Sequence, residues 1–122
     1  MKLLEIRPMI YSKDIEGTIL FYTRQLGFTC DEHIPEWGWA AFSRDSVEMM
    51  VAYPNEHTPF EKPAYTGSFY FTVEDVDKLW AEFKDKAKVC YAIDNFEHGM
   101  REFAVYDNNG YLLQFGEELL EK

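Results

Sequence analysis

The order of the predicted elements occurs twice along the chain, and this recurrence constrains the fold more than any other feature. A strand, a helix and three further strands are predicted in the first half, and the same βαβββ order starts again at residue 68. We therefore predict an α+β protein with module one over residues 1–53 and module two over residues 68–122. The Pro-rich stretch 54–67 between them is predicted to be a linker within a single domain over residues 1–122.

The two predicted helices show the clearest local signals. Asp14 is a good helix N-cap, and the residues that follow it repeat at helical spacing until Gly27, a typical helix end. Asp75 caps the second helix in the same way. The predicted strands are LLEIRPMIYS, FTCDEHI, WGWAAFSRD and VEMMVAY in module one, and GSFYFTV, KVCYAID, MREFAVYD and GYLLQF in module two.

Each predicted four-stranded sheet has one helix and therefore only one covered face. The other face must be buried against the second module or against a ligand. Its residues mix polar and apolar side chains, which is typical of a cavity lining. In module two this inward set includes Ser68, Tyr70 and Gln114.

Charge and hydropathy exclude several classes of protein. The formal net charge of −10 argues against nucleic-acid binding, which needs a basic surface. No apolar run approaches the length of a membrane span, and the first ten residues do not form a signal peptide. Cys30 and Cys90 do not make a disulfide framework, so we predict a soluble, cytoplasmic protein without membrane attachment.

Three stretches together resemble the vicinal oxygen chelate superfamily of glyoxalases, bleomycin resistance proteins and dioxygenases. They are DIEGTILFYTRQLGF, GSFYFTVEDVDKLWAEF and GMREFAVYDNNGYLLQFGEE, and they span nearly the whole chain. The resemblance implies two βαβββ modules that form a curved eight-stranded mixed sheet. Bleomycin resistance proteins are the most similar members, which implies a homodimer that binds a small amphipathic ligand without chemistry. Whether modules pair within one chain or across a dimer stays open.

Catalytic members of this superfamily hold a divalent metal with four inward side chains. Carried onto this sequence, those positions are Arg7, Met50, Ser68 and Gln114. Arg7 offers no lone pair, Met50 is a soft thioether, and the other two are weak neutral donors. Glu48 shares the face of Met50, so the register there stays open. We predict no metal, no cofactor and no catalytic residue.

Further ligand-binding candidates are aromatic or basic. Trp37 and Trp39 are two residues apart, so on a strand they share a face, either as a stacking platform or as part of an interface or core. Arg101 is included because it belongs to the stretch that resembles the resistance proteins. An inward Arg7 needs a partner, either Glu5, Glu48 or an anionic ligand.

The main hypothesis is a metal-independent protein that sequesters an amphipathic ligand in an aromatic cleft, and the net charge of −10 is compatible with a cationic ligand. Two alternatives remain: an enzyme of the same fold with a relocated or absent metal, and an interaction module without a small ligand. His33, His57 and His98 are predicted to be surface histidines without a ligating role. The predicted ligand-binding residues are Arg7, Trp37, Trp39, Met50, Ser68, Tyr70, Arg101 and Gln114.

Overall fold

A computed structural model of the chain describes residues 1–55, 60–63 and 68–120. The chain divides into two compact units, Met1–Lys62 and Pro63–Lys122. Each unit contains one four-stranded mixed sheet, so the eight predicted strands are distributed over two sheets. The α+β class and the repeated βαβββ order are confirmed. Among the described residues, no helix combines the length and hydropathy needed to cross a membrane.

The elements of unit 1 are β1 (Met9–Tyr11), α1 (Ile15–Leu20), which continues as a π-helical segment (Phe21–Gln25), β2 (Thr29–Ile34), β3 (Trp39–Arg44) and β4 (Val47–Ala52). Strand order in its sheet is β1-β4-β3-β2, with β1 parallel to β4 and the other neighbours antiparallel. A 3₁₀ turn, Pro35–Trp37, joins β2 to β3.

Helix α1 begins and ends where the sequence predicts. The Asp14 carboxylate accepts a hydrogen bond of 2.9 Å from the backbone N–H of Gly17, which satisfies one free donor of the first turn. After the helix, Gly27 has a φ of 75°, a conformation that favours glycine. Tyr22 and Leu26 from the predicted apolar face are fully buried, and the Tyr22 ring packs against Phe42 of β3 at 4.4 Å between centroids.

The first strand is much shorter than predicted. Only Met9–Tyr11 pairs with β4, and the residues before Pro8 are exposed, including Ile6 at 87%. Pro8 contributes its carbonyl to Met50 N–H at 2.8 Å but has no N–H to donate. The predicted strand over residues 3–7 is therefore wrong, and Arg7 lies outside the sheet.

The elements of unit 2 are β5 (Phe69–Thr72), α2 (Val76–Phe83), β6 (Lys88–Asn95), β7 (Met100–Tyr106) and β8 (Leu112–Glu118). Strand order in its sheet is β5-β8-β7-β6. Strands β5 and β8 are parallel, and the other neighbours are antiparallel. Asp75 caps α2 through a 3.2 Å hydrogen bond from Lys78 N–H.

The two faces of the unit 2 sheet differ in chemistry. On one face, Phe103 of β7 packs against Trp80 and Phe83 of α2 and stacks on Phe115 of β8. Because side chains alternate along a strand, Glu102 and Ala104 point to the opposite face. That face carries the polar residues described next.

Candidate functional site

A buried carboxylate is the centre of a hydrogen-bonded group on the polar face of the unit 2 sheet. Glu102 is only 3% exposed and accepts hydrogen bonds from Tyr70 Oη at 2.7 Å and from Tyr91 Oη. His98 Nε2 lies 2.8 Å from Glu102 Oε1. A buried carboxylate needs such donors to stay ionised. We call the group the Glu102 cluster; it comprises Ser68, Tyr70, Tyr91, His98, Glu102 and Gln114.

The Gln114 amide extends the cluster across the sheet. Its Nε2 donates to Tyr91 Oη at 2.9 Å, while its Oε1 accepts a hydrogen bond from Ser68 Oγ. The three hydrogen bonds therefore form a chain directed toward Glu102: Ser68 donates to Gln114, Gln114 donates to Tyr91, and Tyr91 donates to Glu102. A neutral amide can donate and accept at once, which a carboxylate cannot.

Strand register explains why these side chains meet. Tyr70, Gln114, Ala104 and Tyr91 form one row across β5, β8, β7 and β6. The small Ala104 leaves room for Gln114 and Tyr91 to meet above it, since its own side chain is only a methyl group. Both partners come from neighbouring strands on either side of β7.

Gly116 makes room for the contact between Tyr70 and Glu102. Gly116 pairs with Glu102 on β7 and with Thr72 on β5, two residues beyond Gln114 and on the same face of the sheet. A Cβ at this position would overlap the Tyr70 hydroxyl and lie 2.8 Å from Tyr70 Cζ. The Tyr70 side chain therefore crosses the sheet diagonally above Gly116.

The hydrogen bonds fix the charge states of the cluster. Burial alone would raise the pKa of Glu102, but the hydrogen bonds from Tyr91, Tyr70 and His98 outweigh it and lower that pKa. Burial and the Glu102 carboxylate raise the pKa of Tyr91 to about 12 and that of Tyr70 still further. Glu102 is thus an anion at neutral pH, and both tyrosines remain donors.

Aromatic rings surround this anion. Tyr91 and Phe96 make an edge-to-face contact with centroids 5.4 Å apart, and Phe96 stacks on His98 at 5.9 Å. Tyr70 is 42% exposed. Within the described residues, the only ion-pair partner of Glu102 is His98, which contributes charge only when it is protonated. The negative charge is therefore held by two tyrosine hydroxyl groups and the His98 ring, among aromatic side chains.

Three of the predicted ligand-binding residues, Ser68, Tyr70 and Gln114, belong to this cluster. Tyr91, Glu102 and His98 were missed as site residues. A signal for Glu102 exists in the sequence, because alternation in EFAVY places it on the face opposite the core residue Phe103. The prediction for His98 as a surface residue was incomplete, since its half-exposed ring contacts Glu102. His57 lies outside the described residues.

Arg101 does not belong to the cluster. It is the neighbour of Glu102 on β7 and points to the other face of the sheet, where its Nη2 lies 2.9 Å from Asp77 Oδ1 of α2. Its Nη1 donates to Asn95 Oδ1 at 2.9 Å. The structure therefore separates Arg101 from Ser68, Tyr70 and Gln114.

The predicted residues of unit 1 are described separately. Arg7 is exposed, and its Nε lies 3.4 Å from Glu5 Oε2. A side-chain hydrogen bond between Glu5 and Glu48 raises the pKa of Glu48, and the Arg7 charge opposes that shift. Met50 is half-buried in β4, between Met9 of β1 and Ala41 of β3.

The two neighbouring tryptophans do not share a strand face, so that prediction is wrong. Trp39 is the first residue of β3, whereas Trp37 ends the 3₁₀ turn Pro35–Trp37. Pro35 favours the start of such a turn, and Gly38 ends it with a φ of 60°. Trp37 and Trp39 therefore belong to different secondary-structure elements, and strand alternation does not relate their side chains.

The donor sets do not fit a divalent metal in either unit. In unit 2, Ser68 and Gln114 are hydrogen-bonded to each other and offer only neutral oxygens. In unit 1, Arg7 is a cation and Met50 a thioether. Across the described residues, no three His, Cys, Asp or Glu side chains form a group that can hold a metal ion.

The fold and site together define an α+β protein with two βαβββ units, one of which has a polar sheet face. The chain belongs to the Glyoxalase/Bleomycin resistance protein/Dioxygenase superfamily, whose model matches residues 6–115. No match is found among curated proteins.

Solved structures with similar folds include proteins with different recorded functions. A bleomycin-binding protein complexed with bleomycin is 19% identical, with a TM-score of 0.77 over 95% of this chain and 99% of that one. A glyoxalase/bleomycin resistance protein/dioxygenase from Nocardioides is 17% identical, with a TM-score of 0.77 over 100% and 88%. A lactoylglutathione lyase from Agrobacterium tumefaciens is 16% identical, with a TM-score of 0.68 over 93% and 92%. At these low identities, the TM-scores show a shared fold alone.

Proposed function

We propose that the chain is a cytoplasmic, metal-independent binding protein for a small amphipathic molecule that carries a cationic group. The binding surface is the polar face of the unit 2 sheet at the Glu102 cluster. The observation that carries the proposal is a buried, ionised Glu102 that is held by the hydroxyl groups of Tyr70 and Tyr91 and by the His98 ring, with no Lys or Arg pairing with it among the described residues. The free thiols of Cys30 and Cys90 are compatible with a reducing cytoplasm.

The electrostatics favour a cation over an anion. A carboxylate in a poorly solvated site creates a stronger local potential than one in water. Hydrogen bonds from Tyr70 and Tyr91 stabilise this charge without neutralising it. A ligand amine or quaternary ammonium over the exposed Tyr70 ring would gain from both the ring and the carboxylate.

The amphipathic part of the ligand follows from the aromatic side chains. Tyr91, Phe96 and the His98 ring pack together beside Glu102 and offer apolar surface. Binding sites of this kind take most of their affinity from buried apolar area, and a few polar groups fix the orientation. The similarly folded bleomycin-binding protein makes bleomycin a reasonable first probe.

The test is a thermal-shift screen with metal-free bleomycin and a panel of aromatic amines, followed by calorimetry on the compounds that raise the melting temperature. A ligand at 100 times its Kd stabilises the native state by about 2.7 kcal/mol. We expect Glu102→Gln to weaken every cationic hit about tenfold or more, since it removes the charge. Tyr70→Phe keeps the ring and removes only the hydrogen bond to Glu102, so it is expected to weaken binding less than Glu102→Gln does.

Two results would overturn this proposal. One is cationic ligands that bind Glu102→Gln as tightly as the unchanged protein. The other is purified protein that contains stoichiometric metal and turns over the adduct of methylglyoxal and glutathione.

A second candidate function, metal-independent proton transfer, is favoured by one contact. His98 Nε2 lies 2.8 Å from the Glu102 carboxylate, and the side chain of His98 is 56% exposed. Imidazole–carboxylate pairs of this kind serve as general bases. Turnover of the methylglyoxal–glutathione adduct that His98→Ala abolishes and chelators leave unchanged would support this candidate.

The proposal includes a homodimer. The N-terminal segment exposes large apolar side chains, among them Leu3, Leu4 and Ile6. Contiguous exposed apolar residues are typical of association surfaces. Light scattering coupled to size-exclusion chromatography is expected to give twice the mass of the 14.4 kDa chain, and a monomer at high micromolar concentration would contradict it.

A further inference from the structure

Unit 1 has a surface groove that shares no residue with the Glu102 cluster. It has a volume of about 570 Å³ and lies between the start of α1, the 3₁₀ turn before β3 and the residue after β4. Arg7, Trp39 and Met50 are not among its lining residues. We call it the Trp37 groove; the side chains used below are Ile15, Glu16, Glu36, Trp37 and Tyr53.

Two exposed aromatic side chains form part of the groove wall. Trp37 is 73% exposed and Tyr53 is 54% exposed. Large aromatic residues usually bury most of their surface in a protein core. An exposed pair that lines a groove therefore indicates a surface that a ligand can cover. Ile15 adds apolar surface at the start of α1.

The backbone holds this aromatic pair in place. Gly38 N–H donates to the Pro35 carbonyl at 3.0 Å, which closes the 3₁₀ turn that carries Trp37. Tyr53 N–H donates to the Gly38 carbonyl at 2.8 Å, which ties the end of β4 to the same turn. A Cβ on Gly38 would lie 3.1 Å from Tyr53 Cβ, so the two segments are in close contact. The backbone under both rings is therefore pre-organised, which lowers the entropy cost of binding.

The charges in the groove are mainly negative. Of its charged residues, Lys13 has its Nζ 3.5 Å from Glu61 Oε2, and the Asp14 carboxylate accepts from Gly17 N–H. Glu16 and Glu36 are exposed, and in the described part of the chain their carboxylates make no hydrogen bond or ion pair. Two uncommitted carboxylates therefore flank the aromatic pair.

Aromatic faces beside carboxylates recognise organic cations. The ring quadrupole attracts positive charge, a flat cation stacks on indole with little loss of solvation, and the carboxylates add coulombic attraction. The same charges repel an anion. We infer that the Trp37 groove binds a planar organic cation, such as an N-alkylated heteroaromatic ring, independently of the ligand proposed for unit 2.

The test uses two probes of nearly equal shape on the full chain. 1-Methylquinolinium is a permanent cation, and 4-methylquinoline is neutral at pH 8. In ¹H–¹⁵N spectra, we expect the cation to shift the Trp37 indole signal and the amides of Gly38 and Tyr53 in a saturable way. The chain has three tryptophans, and Trp37→Phe assigns the signal. The neutral probe is expected to bind about tenfold more weakly.

Matched variants separate the contributions of aromatic surface and charge. Trp37→Ala is expected to abolish the shifts at Tyr53, whereas Leu20→Ala, which removes another exposed apolar side chain, is expected to leave them unchanged. The pair Glu16→Gln and Glu36→Gln is expected to weaken the cation about threefold to tenfold. The pair Glu74→Gln and Asp85→Asn removes the same charge from exposed positions of unit 2 and serves as its control.

Three results would overturn the inference: equal affinity for the two probes, unchanged binding to Trp37→Ala, or no saturable shift at Trp37 up to about 10 mM cation, which corresponds to less than 3 kcal/mol of binding energy. None of them bears on the Glu102 cluster, because the groove and the cluster have no residue in common. Loss of binding at Glu102 would likewise leave the Trp37 groove intact.

Discussion

Tyr70 donates a 2.7 Å hydrogen bond to Glu102 from two strands away, across the glycine of the strand that separates them. The bond joins an exposed ring to a buried anion. It requires a residue without a side chain at Gly116, since a Cβ there would overlap the Tyr70 hydroxyl. The polar face of unit 2 therefore depends on one glycine as much as on its polar residues.

Replacing Gly116 tests this dependence directly. Gly116→Ala is expected to displace the Tyr70 ring, leave Glu102 with one donor fewer, and lower the free energy of unfolding by about 1–3 kcal/mol. Urea denaturation measures the loss. In a Tyr70→Ala background the same substitution is expected to cost much less, because the Tyr70 ring is then gone and the remaining close neighbour, Met100 Cε at 3.2 Å, is the end of a flexible side chain. Equal costs in both backgrounds would contradict the crossing of Tyr70 above Gly116.

The neutral amide at Gln114 can be tested by restoring a carboxylate. Gln114→Glu removes the donor to Tyr91 and adds a second negative charge near Glu102. Burial and that charge are expected to raise the folded-state pKa of the new carboxyl, so ionisation opposes folding. The variant is therefore expected to lose stability as pH rises above the unfolded pKa of about 4.3 and to recover as pH falls.

Gln114→Met provides the control for that experiment. It removes both hydrogen bonds of the amide but adds no charge. Its loss of stability is expected to stay constant between pH 4 and pH 8, as measured by urea denaturation. A pH-independent loss in Gln114→Glu as well would show that charge at this position is unimportant.

The acid stability of the chain is expected to depend on Glu102. Its folded-state pKa is lowered from 4.5, so its contribution is complete above that value and is lost as pH falls through the folded pKa. Glu102→Gln is expected to reduce the free energy of unfolding by about 1–3 kcal/mol at pH 7, and the difference from the unchanged protein is expected to shrink below pH 4.5. A difference that is constant from pH 7 to pH 3.5 would contradict an ionised Glu102.

Local signals predicted much of the fold. Asp14 and Asp75 cap their helices as expected, because side-chain capping acts over three residues and is visible in sequence. The first strand was predicted too long, because alternation alone does not show where a partner strand stops. The prediction for Trp37 is wrong for a related reason. The two-residue spacing predicts that Trp37 and Trp39 share a strand face, but Pro35 and Gly38 favour a 3₁₀ turn at Trp37 instead.

The site was harder to predict than the fold. Gln114, Ser68 and Tyr70 were found by strand alternation and family resemblance, since each lies at a position that alternation turns away from the core. Glu102 was not included because its donors come from β5, β6 and the turn before β7, and these contacts depend on register. Alternation in a single sequence indicates which face of the sheet a side chain occupies. It does not show which residues of the neighbouring strands lie beside it, because that depends on the strand register.

Arg101 offers the sharpest test of this division between the two faces, because it is adjacent to Glu102 in sequence. The Arg101 guanidinium lowers the pKa of Asp77, and Arg101→Gln is expected to return that pKa toward its ordinary value, which NMR titration of the Asp77 side chain measures. Ligand affinity at the Glu102 cluster is expected to stay unchanged, since the two side chains point to opposite faces of β7. Glu102→Gln is the matched change at the next residue. It is expected to weaken ligand binding and to leave the pKa of Asp77 unchanged. If Arg101→Gln weakened a cationic ligand as much as Glu102→Gln does, the ligand would have to contact the helix side of the sheet instead.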